Sequence, residues 1–416
     1  MIKKEIIQKV RKEYETPLFL FDADELRNRV CNIREILESG NEKIGLCYSI
    51  KANPFLIPYL SDIVDKFEVC SPGELQICKE YRVDPSMIIY SGVHKEREDI
   101  EDAITCGSGI LTAESVRHYE LIKEVCNSIE KNVRLILRLS SKNQFGMSIE
   151  DIRHIMDINR DNPFISIEGI HYFAGTQRTK LKHQREELEM LKDTIAVLRD
   201  EFHLPLPVLE YGPGLAYPYF TGDDFSDTLC PLKELLPELI TAAGSSELCI
   251  EMGRFLASSC GYYFTDVCDV KESYDQRWII LDGGINHVNY LGQMMGMKTP
   301  VIITVKNSDG KVINNTDEQI LNNISEFTDK CDKPQSLCGS LCTTNDVLVR
   351  SYSGVMLELK DTLVFCNIGA YSVTEGLNLF LSRNMPLVLI HSDGVISRVR
   401  EVKETWRLNC QAHKEQ

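Results

Sequence analysis

The most constraining feature of this sequence is a regular alternation of strand-like and helix-like segments over its first half. Eight short runs rich in β-branched and aromatic residues predict strands at 43–50, 63–70, 87–91, 109–112, 133–139, 165–173, 207–211 and 248–251. Between them lie helical patterns, including those at 72–80, 114–125 and 184–202. This alternation is typical of a parallel α/β fold, because parallel strands need long crossover connections that are usually helical.

The number of units favours a closed barrel over an open sheet. Eight strand–helix units over roughly 230 residues fit the size of a (β/α)8 barrel. An open doubly wound sheet would alternate in the same way, but no GxGxxG motif follows the first predicted strand. We therefore predict a (β/α)8, or TIM, barrel over residues 24–258.

The pattern changes after about Ser258, where strand-like runs recur with turn residues and little helix. These runs lie at 262–270, 278–281, 300–305, 362–366 and 387–390. They predict an all-β domain, sandwich-like or barrel-like, over residues 259–416. The segment 17–21 is another short strand, and we assign residues 1–23 to the same domain. The polar stretch 307–338 predicts a mobile excursion.

Length and charge support two domains and disfavour some classes of partner. A chain of 416 residues exceeds one ordinary core, and its net charge of −16 argues against binding to nucleic acid or anionic membranes. The first 16 residues lack a signal-peptide core, and no run reaches the roughly 18 apolar residues of a spanning helix. The 15 cysteines are scattered without zinc-ligand spacing. We predict a reduced cytoplasmic protein with mostly buried thiols and no metal site.

A lysine directly follows the first predicted strand, in the segment YSIKANP at 48–54. Reactive groups of a barrel collect at the C-terminal ends of its strands. The amine of Lys51, partly desolvated there, would be a nucleophile able to form a Schiff base. A lone lysine at a strand end is more often solvated, so this interpretation depends on the other strand ends.

Two further strand ends carry groups that suit an anionic aromatic ligand. The eighth strand ends in Glu251 and Arg254, a carboxylate suited to a protonated pyridine nitrogen and a guanidinium suited to phosphate. A plain salt bridge would explain this pair equally well. The seventh strand ends in Gly212 and Gly214, where the backbone can approach an anion, although Pro213 between them has no N–H.

Three more segments supply candidates that would be structural if taken individually. The sixth strand end offers the aromatic face of Phe173 and the hydroxyl of Thr176. The polar loop 339–346 carries one thiol, Cys342, and Tyr371 follows the strand-like run at 362–367. Cys342 alone is more often an inert small residue than a catalyst.

Taken together and in order, these segments resemble the fold-type III pyridoxal-phosphate decarboxylases, the family of diaminopimelate and ornithine decarboxylases. The resemblance rests on YSIKANP, VCSPGEL at 69–75, EMGR at 251–254, the Cys342 loop and GAYS at 369–372, and it covers nearly the whole chain. It implies a barrel that binds pyridoxal 5'-phosphate, a C-terminal β domain, and a head-to-tail homodimer with shared active sites.

The resemblance also implies a role for each candidate residue. Lys51 corresponds to the lysine that holds the cofactor covalently, and Glu251 to the partner of its pyridine nitrogen. Cys342, from the other subunit, corresponds to the proton donor. Phe173 corresponds to the residue stacked on the cofactor ring. The residues that correspond to phosphate contacts are Thr176, Gly212, Gly214, Arg254 and Tyr371.

Four departures from the family pattern bear on the substrate. Phe173 replaces a histidine, Pro213 interrupts a glycine triplet, Thr343 replaces the glutamate that follows the cysteine in diaminopimelate decarboxylases, and Lys298 replaces their substrate-binding arginine. We therefore expect a substrate other than diaminopimelate. The Cys342 loop and the segment FLSR at 380–383 are more similar to specialised-metabolism members, which act on citryl–diamine conjugates in siderophore assembly or on carrier-protein-bound glutamate. Lys298 and Arg383 could meet extra carboxylates of such substrates, or could be solvated surface charges.

The predicted function is decarboxylation of an amino acid or amino-acid conjugate, with a small molecule or an aminoacyl-carrier protein as substrate. A decarboxylase of free diaminopimelate, ornithine or lysine is one alternative. An amino-acid racemase on a related barrel is another, but it needs a tyrosine base where this chain offers the Cys342 loop. A non-catalytic cofactor-binding regulator would resemble the barrel alone, which the long β domain disfavours.

Overall fold

The structure is a computed structural model that describes residues 2–315, 333–352 and 354–411. It divides into two compact units. The barrel unit comprises Arg27–Tyr217 and Asp227–Leu256. The β unit comprises Met1–Leu26, Pro218–Ser226 and Ala257–Gln416. No sequence signal indicated that 218–226 groups with the β unit, because this short loop has no strand or helix pattern of its own.

The N-terminal segment and the barrel strands follow in chain order. The first elements are α1 (Lys4–Glu13) and β1 (Leu18–Asp22). Eight parallel strands then close into a barrel in sequential order, with β2 paired to β9: β2 (Gly45–Ser49), β3 (Lys66–Val69), β4 (Ile88–Tyr90), β5 (Ile110–Ala113), β6 (Val133–Arg138), β7 (Ile165–Phe173), β8 (Val208–Gly212) and β9 (Glu247–Met252). Each of the eight predicted strands is present, and the predicted barrel is confirmed.

Helices connect the barrel strands. They are α2 (Ala23–Glu38), α3 (Pro72–Glu80), α4 (Arg97–Cys106), α5 (Val116–Ile129), α6 (Ile149–Ile158), α7 (Lys182–Phe202), α8 (Cys230–Ala243) and the short α9 (Arg254–Ala257). Serine caps set several starts: the Ser71 hydroxyl accepts the N–H of Glu74 before α3, and Ser148 forms a capping box with Asp151 before α6. Short 3₁₀ turns lie at Ile50–Ala52, Pro54–Tyr59, Pro85–Met87, Ser258–Cys260, Phe380–Ser382 and Trp406–Asn409.

The β unit contains a sheet of ten strands. Its remaining strands are β10 (Gly261–Ser273), β11 (Gln276–Leu281), β12 (Ile302–Val305), β13 (Val312–Asn314), β14 (Gln335–Cys338), β15 (Val347–Tyr352), β16 (Thr362–Cys366), β17 (Leu387–Ser392) and β18 (Val395–Arg400). The main order is β13-β12-β16-β10-β1-β17-β18, and β11, β14 and β15 extend it from β10. The predicted strand at 17–21 is confirmed as β1, which pairs with β10 and β17.

The predicted excursion at 307–338 is partly wrong. Its two ends form β13 and β14, which pair with β12 and with β11 and β15. The buried side chains of Ile313 and Leu337 explain why these polar-flanked ends join the sheet. The central part of the predicted excursion, 316–332, lies outside the described residues.

The described cysteines are free thiols. Five are buried, five are half-buried and four are exposed, and Cys342 belongs to the exposed group. The thiols are thus less buried than the apolar runs around them predicted. Within the described ranges, no helix has the length and apolar character needed to cross a membrane.

Candidate active site

Two successive layers of inward-facing side chains in the barrel differ in chemistry. The first layer is apolar and consists of Cys47, Ile89, Ile110, Ile136, Val208 and Cys249. Side chains alternate along a strand, so the residues two positions further on form the next layer towards the C-terminal strand ends. Those residues are polar and buried: Ser49, Ser91, Thr112, Arg138, Glu210 and Glu251. The candidate site therefore begins where the apolar filling of the barrel ends.

Lys51 lies directly above this polar layer, in the 3₁₀ turn that follows β2. Its Nζ is 2.5 Å from Glu68 Oε2 and 3.5 Å from Glu251 Oε1. The side chain is 39% exposed, whereas both carboxylates are buried. The amine is thus directed towards buried acids at the barrel mouth, the environment that the strand-end interpretation requires.

Glu251 is the centre of a buried hydrogen-bond network. Ser49 Oγ donates to its Oε1 at 2.6 Å, and His171 Nε2 lies 3.3 Å from its Oε2. Burial alone would raise the pKa of the Glu251 carboxyl, but the charge of Lys51 and hydrogen bonds with His171 and Glu68 lower it well below its usual value. Burial lowers the pKa of His171, so a neutral imidazole faces an ionised Glu251.

The sequence candidates did not include Glu210 of the polar layer, or Glu68 and His171, which lie beside it. Glu68 is paired in register with Ser49 on the neighbouring strand, and His171 with Glu210. Burial and the nearby charge of Glu251 raise the pKa of Glu68 to about 7, although Lys51 opposes the shift. Burial also raises the pKa of Glu210. A charged residue inside an otherwise apolar strand was the available signal, because such residues are rarely buried without a function or a partner.

The glycines after β7 and β8 make a close contact between two loops. A Cβ on Gly214, whose φ is +59°, would lie 1.7 Å from Gly175 O, and a Cβ on Gly212 would lie 2.4 Å from Phe173 Cδ2. Arg178 N also donates to Gly214 O at 2.9 Å. Both Gly212 and Gly214 are therefore required by close packing, and they bring the loops that carry Phe173 and Thr176 together at one edge of the barrel.

The other barrel candidates lie at the same end of the barrel. Arg254 is buried and is the first residue of α9, just after β9. Thr176 is exposed in the loop after β7, and Phe173 is half-buried at the end of that strand. Phosphate sites in such barrels are commonly formed by the loops after the last two strands and a short extra helix. The barrel residues thus fit pyridoxal phosphate: an amine, an ionised acid for the ring nitrogen, glycine loops and a guanidinium.

Two candidate catalytic and cofactor residues belong to the β unit. Cys342 is exposed in the loop between β14 and β15, and the Thr343 hydroxyl beside it accepts the N–H of Asn345 at 3.3 Å. Tyr371 follows β16 in a turn with φ of +71°, and its carbonyl accepts the N–H groups of Thr374 and Glu375. Both loops are ordered by local hydrogen bonds within this unit.

The two candidate substrate cations of the β unit have protein contacts. Arg383 Nη2 donates to Ser340 O, within the Cys342 loop, at 3.0 Å. Lys298 Nζ lies 4.8 Å from the ring centroid of Phe220, a cation–π distance. Both side chains remain exposed.

A separate cluster of potential metal ligands lies in the β unit, formed by Asp22, Asp24 and His391. Asp22 Oδ1 accepts the N–H groups of Asp24 and Glu25 at the start of α2, and His391 Nδ1 lies 3.2 Å from the same atom. These contacts account for the cluster as a helix cap with a histidine partner.

A closed (β/α)8 barrel with a strand-end lysine facing a buried, ionised glutamate defines a class of pyridoxal-phosphate enzyme. The family model described as "Pyridoxal-dependent decarboxylase, pyridoxal binding domain" matches residues 23–258, more than half of the chain. The chain belongs to this family, and it is a pyridoxal-phosphate-dependent decarboxylase.

Curated relatives span nearly the whole chain at low identity. The L-glutamyl-[BtrI acyl-carrier protein] decarboxylase of Niallia circulans is 24% identical over 421 residues, which cover 95% of this chain and 93% of that protein. The diaminopimelate decarboxylase of Methanocaldococcus jannaschii is 23% identical over 430 residues, with 95% and 90% covered.

Solved structures share the complete fold. Diaminopimelate decarboxylase from Helicobacter pylori, complexed with L-lysine, superposes with a TM-score of 0.81 at 19% identity, covering 97% of this chain and 99% of that chain. The lysine/ornithine decarboxylase from Vibrio vulnificus, complexed with putrescine, gives a TM-score of 0.75 at 20% identity, with 94% and 98% covered. The predicted combination of a barrel and a β domain is therefore confirmed.

Proposed function

We propose that this enzyme decarboxylates a conjugated amino acid, with glutamate attached to a carrier protein as the first candidate substrate. The observation that carries the proposal is Thr343, the residue directly after Cys342. At this position diaminopimelate decarboxylases have a glutamate that binds the distal amino group of their substrate. Thr343 has a hydroxyl instead, and this hydroxyl accepts the backbone N–H of Asn345. The relative from Niallia circulans, which acts on a carrier-bound glutamate, supports this choice.

The barrel residues hold the cofactor and set its charge. Lys51 would hold the cofactor covalently, and the ionised carboxylate of Glu251, supported by Ser49 and His171, would keep a proton on the ring nitrogen. Phe173 would pack on the cofactor ring, and the phosphate would be bound by Arg254, Thr176, Gly212, Gly214 and Tyr371. Pyridoxal phosphate, when bound, supplies the electron sink that accepts the electrons left when a carboxylate departs as CO2.

Protons would be moved by three side chains of the protein, those of Lys51, Glu68 and Cys342. Glu68, whose pKa of about 7 lies near neutrality, is positioned to exchange a proton with the Lys51 amine, which would have to be freed from the cofactor for a substrate amine to bind. Cys342 donates a proton to the carbon that has lost CO2. A thiol that is exposed on its loop can meet a substrate carbon, which a buried thiol could not.

We also propose a homodimer in which Cys342 completes the site of the partner subunit. The test is subunit mixing of two impaired variants, Lys51→Ala and Cys342→Ala, with the activity of each unmixed variant subtracted. Random exchange should restore about a quarter of wild-type activity, because half of the dimers are mixed and each has one intact site. No recovery despite demonstrated exchange would contradict shared sites.

The substrate is tested by CO2 release from a panel of compounds with the purified holoenzyme. The panel contains glutamyl-carrier protein, free glutamate, citryl–diamine conjugates, diaminopimelate, ornithine and lysine. We expect the carrier-bound glutamate to exceed diaminopimelate in kcat/KM by at least about 10²-fold, since Thr343 supplies a hydroxyl and not a carboxylate for a distal ammonium. A preference for diaminopimelate would overturn the proposal.

Chiral analysis of the same reactions separates decarboxylation from racemisation. We expect one equivalent of CO2 for each amine formed and no change of configuration in the recovered substrate. Scrambling at Cα without CO2 release would favour the racemase alternative instead.

A further inference from the structure

One buried carboxylate ties the Cys342 loop to a neighbouring loop. Asp346, at the end of the Cys342 loop, is 3% exposed. Its Oδ2 accepts the N–H of Leu341 at 2.7 Å, and its Oδ1 accepts the N–H of Ile285 at 2.9 Å. The residue that precedes Cys342 is therefore fixed to the loop that follows β11.

Further hydrogen bonds join the same two loops. Ser340 N donates to Gly283 O at 3.2 Å, and Ser340 Oγ donates to Asp282 O at 3.1 Å. Within the Cys342 loop, Gly339 N donates to Asp346 O at 3.0 Å, which closes the base of the loop. The loop is thus held on the side that leads into Cys342, while the thiol itself stays exposed.

Two glycines show how closely the carboxylate is enclosed. A Cβ on Gly284 would lie 2.4 Å from Asp346 Oδ1, and a Cβ on Gly339 would lie 2.3 Å from Asp346 Oδ2. Neither distance leaves room for a methyl group, so both positions need glycine while the carboxylate stays in place. The Asp346 side chain has little freedom to turn, and each oxygen keeps its own backbone donor.

We propose that Asp346 is a positioning residue, which holds the Cys342 thiol where it can transfer a proton to the substrate without touching the substrate itself. The proposal rests on the proposed function of Cys342 as proton donor. A displacement of about 1 Å in a reacting group can cost on the order of 10²-fold in rate. An anchor one residue away from the thiol, in a loop without regular secondary structure, controls that displacement directly.

The test compares Asp346→Asn with Asp361→Asn in the holoenzyme. The first substitution keeps the size of the side chain but presents an NH2 group to one of the two backbone donors. Asp361 serves as the control, because it is 1% exposed in the same unit and also accepts two backbone N–H groups, those of Asn307 and Glu358, both at 2.9 Å. Unlike Asp346, it also pairs with the buried Lys306, whose Nζ lies 2.6 Å from Asp361 Oδ2. It makes no hydrogen bond to the Cys342 loop among the described residues.

Four quantities are measured: bound cofactor by absorbance, kcat and KM, thermal midpoint, and the rate of iodoacetamide alkylation of Cys342 by peptide mass spectrometry. For Asp346→Asn we expect retained cofactor, a KM within about threefold, kcat lower by about 10- to 100-fold, and an alkylation rate changed several-fold. For Asp361→Asn we expect a loss of thermal midpoint at least as large, because Lys306 loses its ionised partner, but kcat and alkylation within about twofold of wild type.

Wild-type kcat and alkylation in Asp346→Asn would overturn the proposal, and so would equal losses of kcat in both variants. If Asp346→Asn does not fold, Ser340→Ala removes one hydroxyl hydrogen bond of the same loop. It should change the alkylation rate by about two- to tenfold, and an unchanged rate would overturn the anchoring. Wild-type turnover in Cys342→Ala would contradict the proposed function of the thiol as proton donor. The alkylation rate in the Asp346→Asn variant measures the positioning of the thiol independently of that function.

Discussion

The polar layer of the barrel and the Cys342 loop are held in place by different kinds of contact. In the barrel, side chains bind side chains: Lys51 pairs with Glu68 and Glu251, and Glu251 also contacts Ser49 and His171. In the loop, one carboxylate binds backbone N–H groups, and the Cys342 side chain is exposed.

This difference suggests where each unit tolerates change. Removing one member of the barrel network leaves a buried charge without its partner, which is strongly destabilising. Replacing an exposed side chain of the loop costs little stability, provided that the backbone anchors remain. The barrel network, which tolerates little change, is therefore suited to holding a cofactor. The loop, whose exposed side chains can be exchanged at little cost in stability, is suited to residues that determine which substrate is bound.

The largest effect is expected for Lys51→Ala. Without the strand-end amine, the enzyme should lose the visible absorption band of the attached cofactor, and activity should fall by about 10⁴-fold or more. Absorbance of the purified variant and CO2 release measure both. The control is Lys66→Ala, at the opposite end of the barrel strands, where the lysine Nζ donates to Ser86 O; it should match wild type. An unchanged spectrum in Lys51→Ala would refute the assignment.

The next effect concerns stability and pH. The pKa of Glu68 is raised in the folded protein from 4.5 to about 7. This carboxyl group therefore makes its full contribution to the free energy of unfolding below pH 4.5, and the contribution is lost as the pH rises through 7. The change amounts to roughly 3 kcal/mol, or about 10²-fold in the folding equilibrium. Cofactor-free wild type should thus lose more thermal stability between pH 5 and pH 8 than Glu68→Gln does. Parallel pH profiles for the two proteins would contradict the raised pKa.

A smaller effect is expected in the loop. Cys342→Ala should keep the cofactor spectrum but lower kcat by about 10- to 100-fold. This loss is at or below the lower limit of about 10²-fold for a lost general acid, because Lys51 remains as a second proton donor. The products are examined for aberrant species by mass spectrometry. Cys268→Ala, which removes another exposed thiol of the β unit, is the matched control. Equal kinetics in the two variants would dismiss a catalytic function for Cys342.

The sequence identified several residues of the barrel site, but it did not identify the contacts between them. Parallel strands bring their C-terminal ends together, so residues such as Lys51 and Glu251 could be grouped from strand order alone. Glu68 and His171 were not identified, because their function depends on register: Glu68 lies opposite Ser49, and His171 opposite Glu210. Strand register is a property of pairing between distant segments, which a single-strand pattern does not contain.

The loop contacts were harder to predict for a related reason. Asp346 acts through backbone N–H groups of Leu341 and Ile285, which are invisible in a side-chain pattern. The ends of the polar stretch 307–338 became β13 and β14 because Ile313 and Leu337 pack in a sheet assembled from distant strands. Local polarity alone could not locate these two pairings.

The smallest effect, expected for Lys298→Met, tests whether substrate specificity resides in exposed charges. Lys298 is exposed and lies over the ring of Phe220, so the charge is screened by solvent and the contact is worth little. We expect kcat/KM to change by less than about threefold, as for Lys271→Met, an exposed lysine on β10. A rise in KM above about tenfold, confined to substrates with extra carboxylates and weakened by salt, would instead make Lys298 a substrate ligand. Specificity would then depend on an exposed cation as well as on the hydroxyl of Thr343.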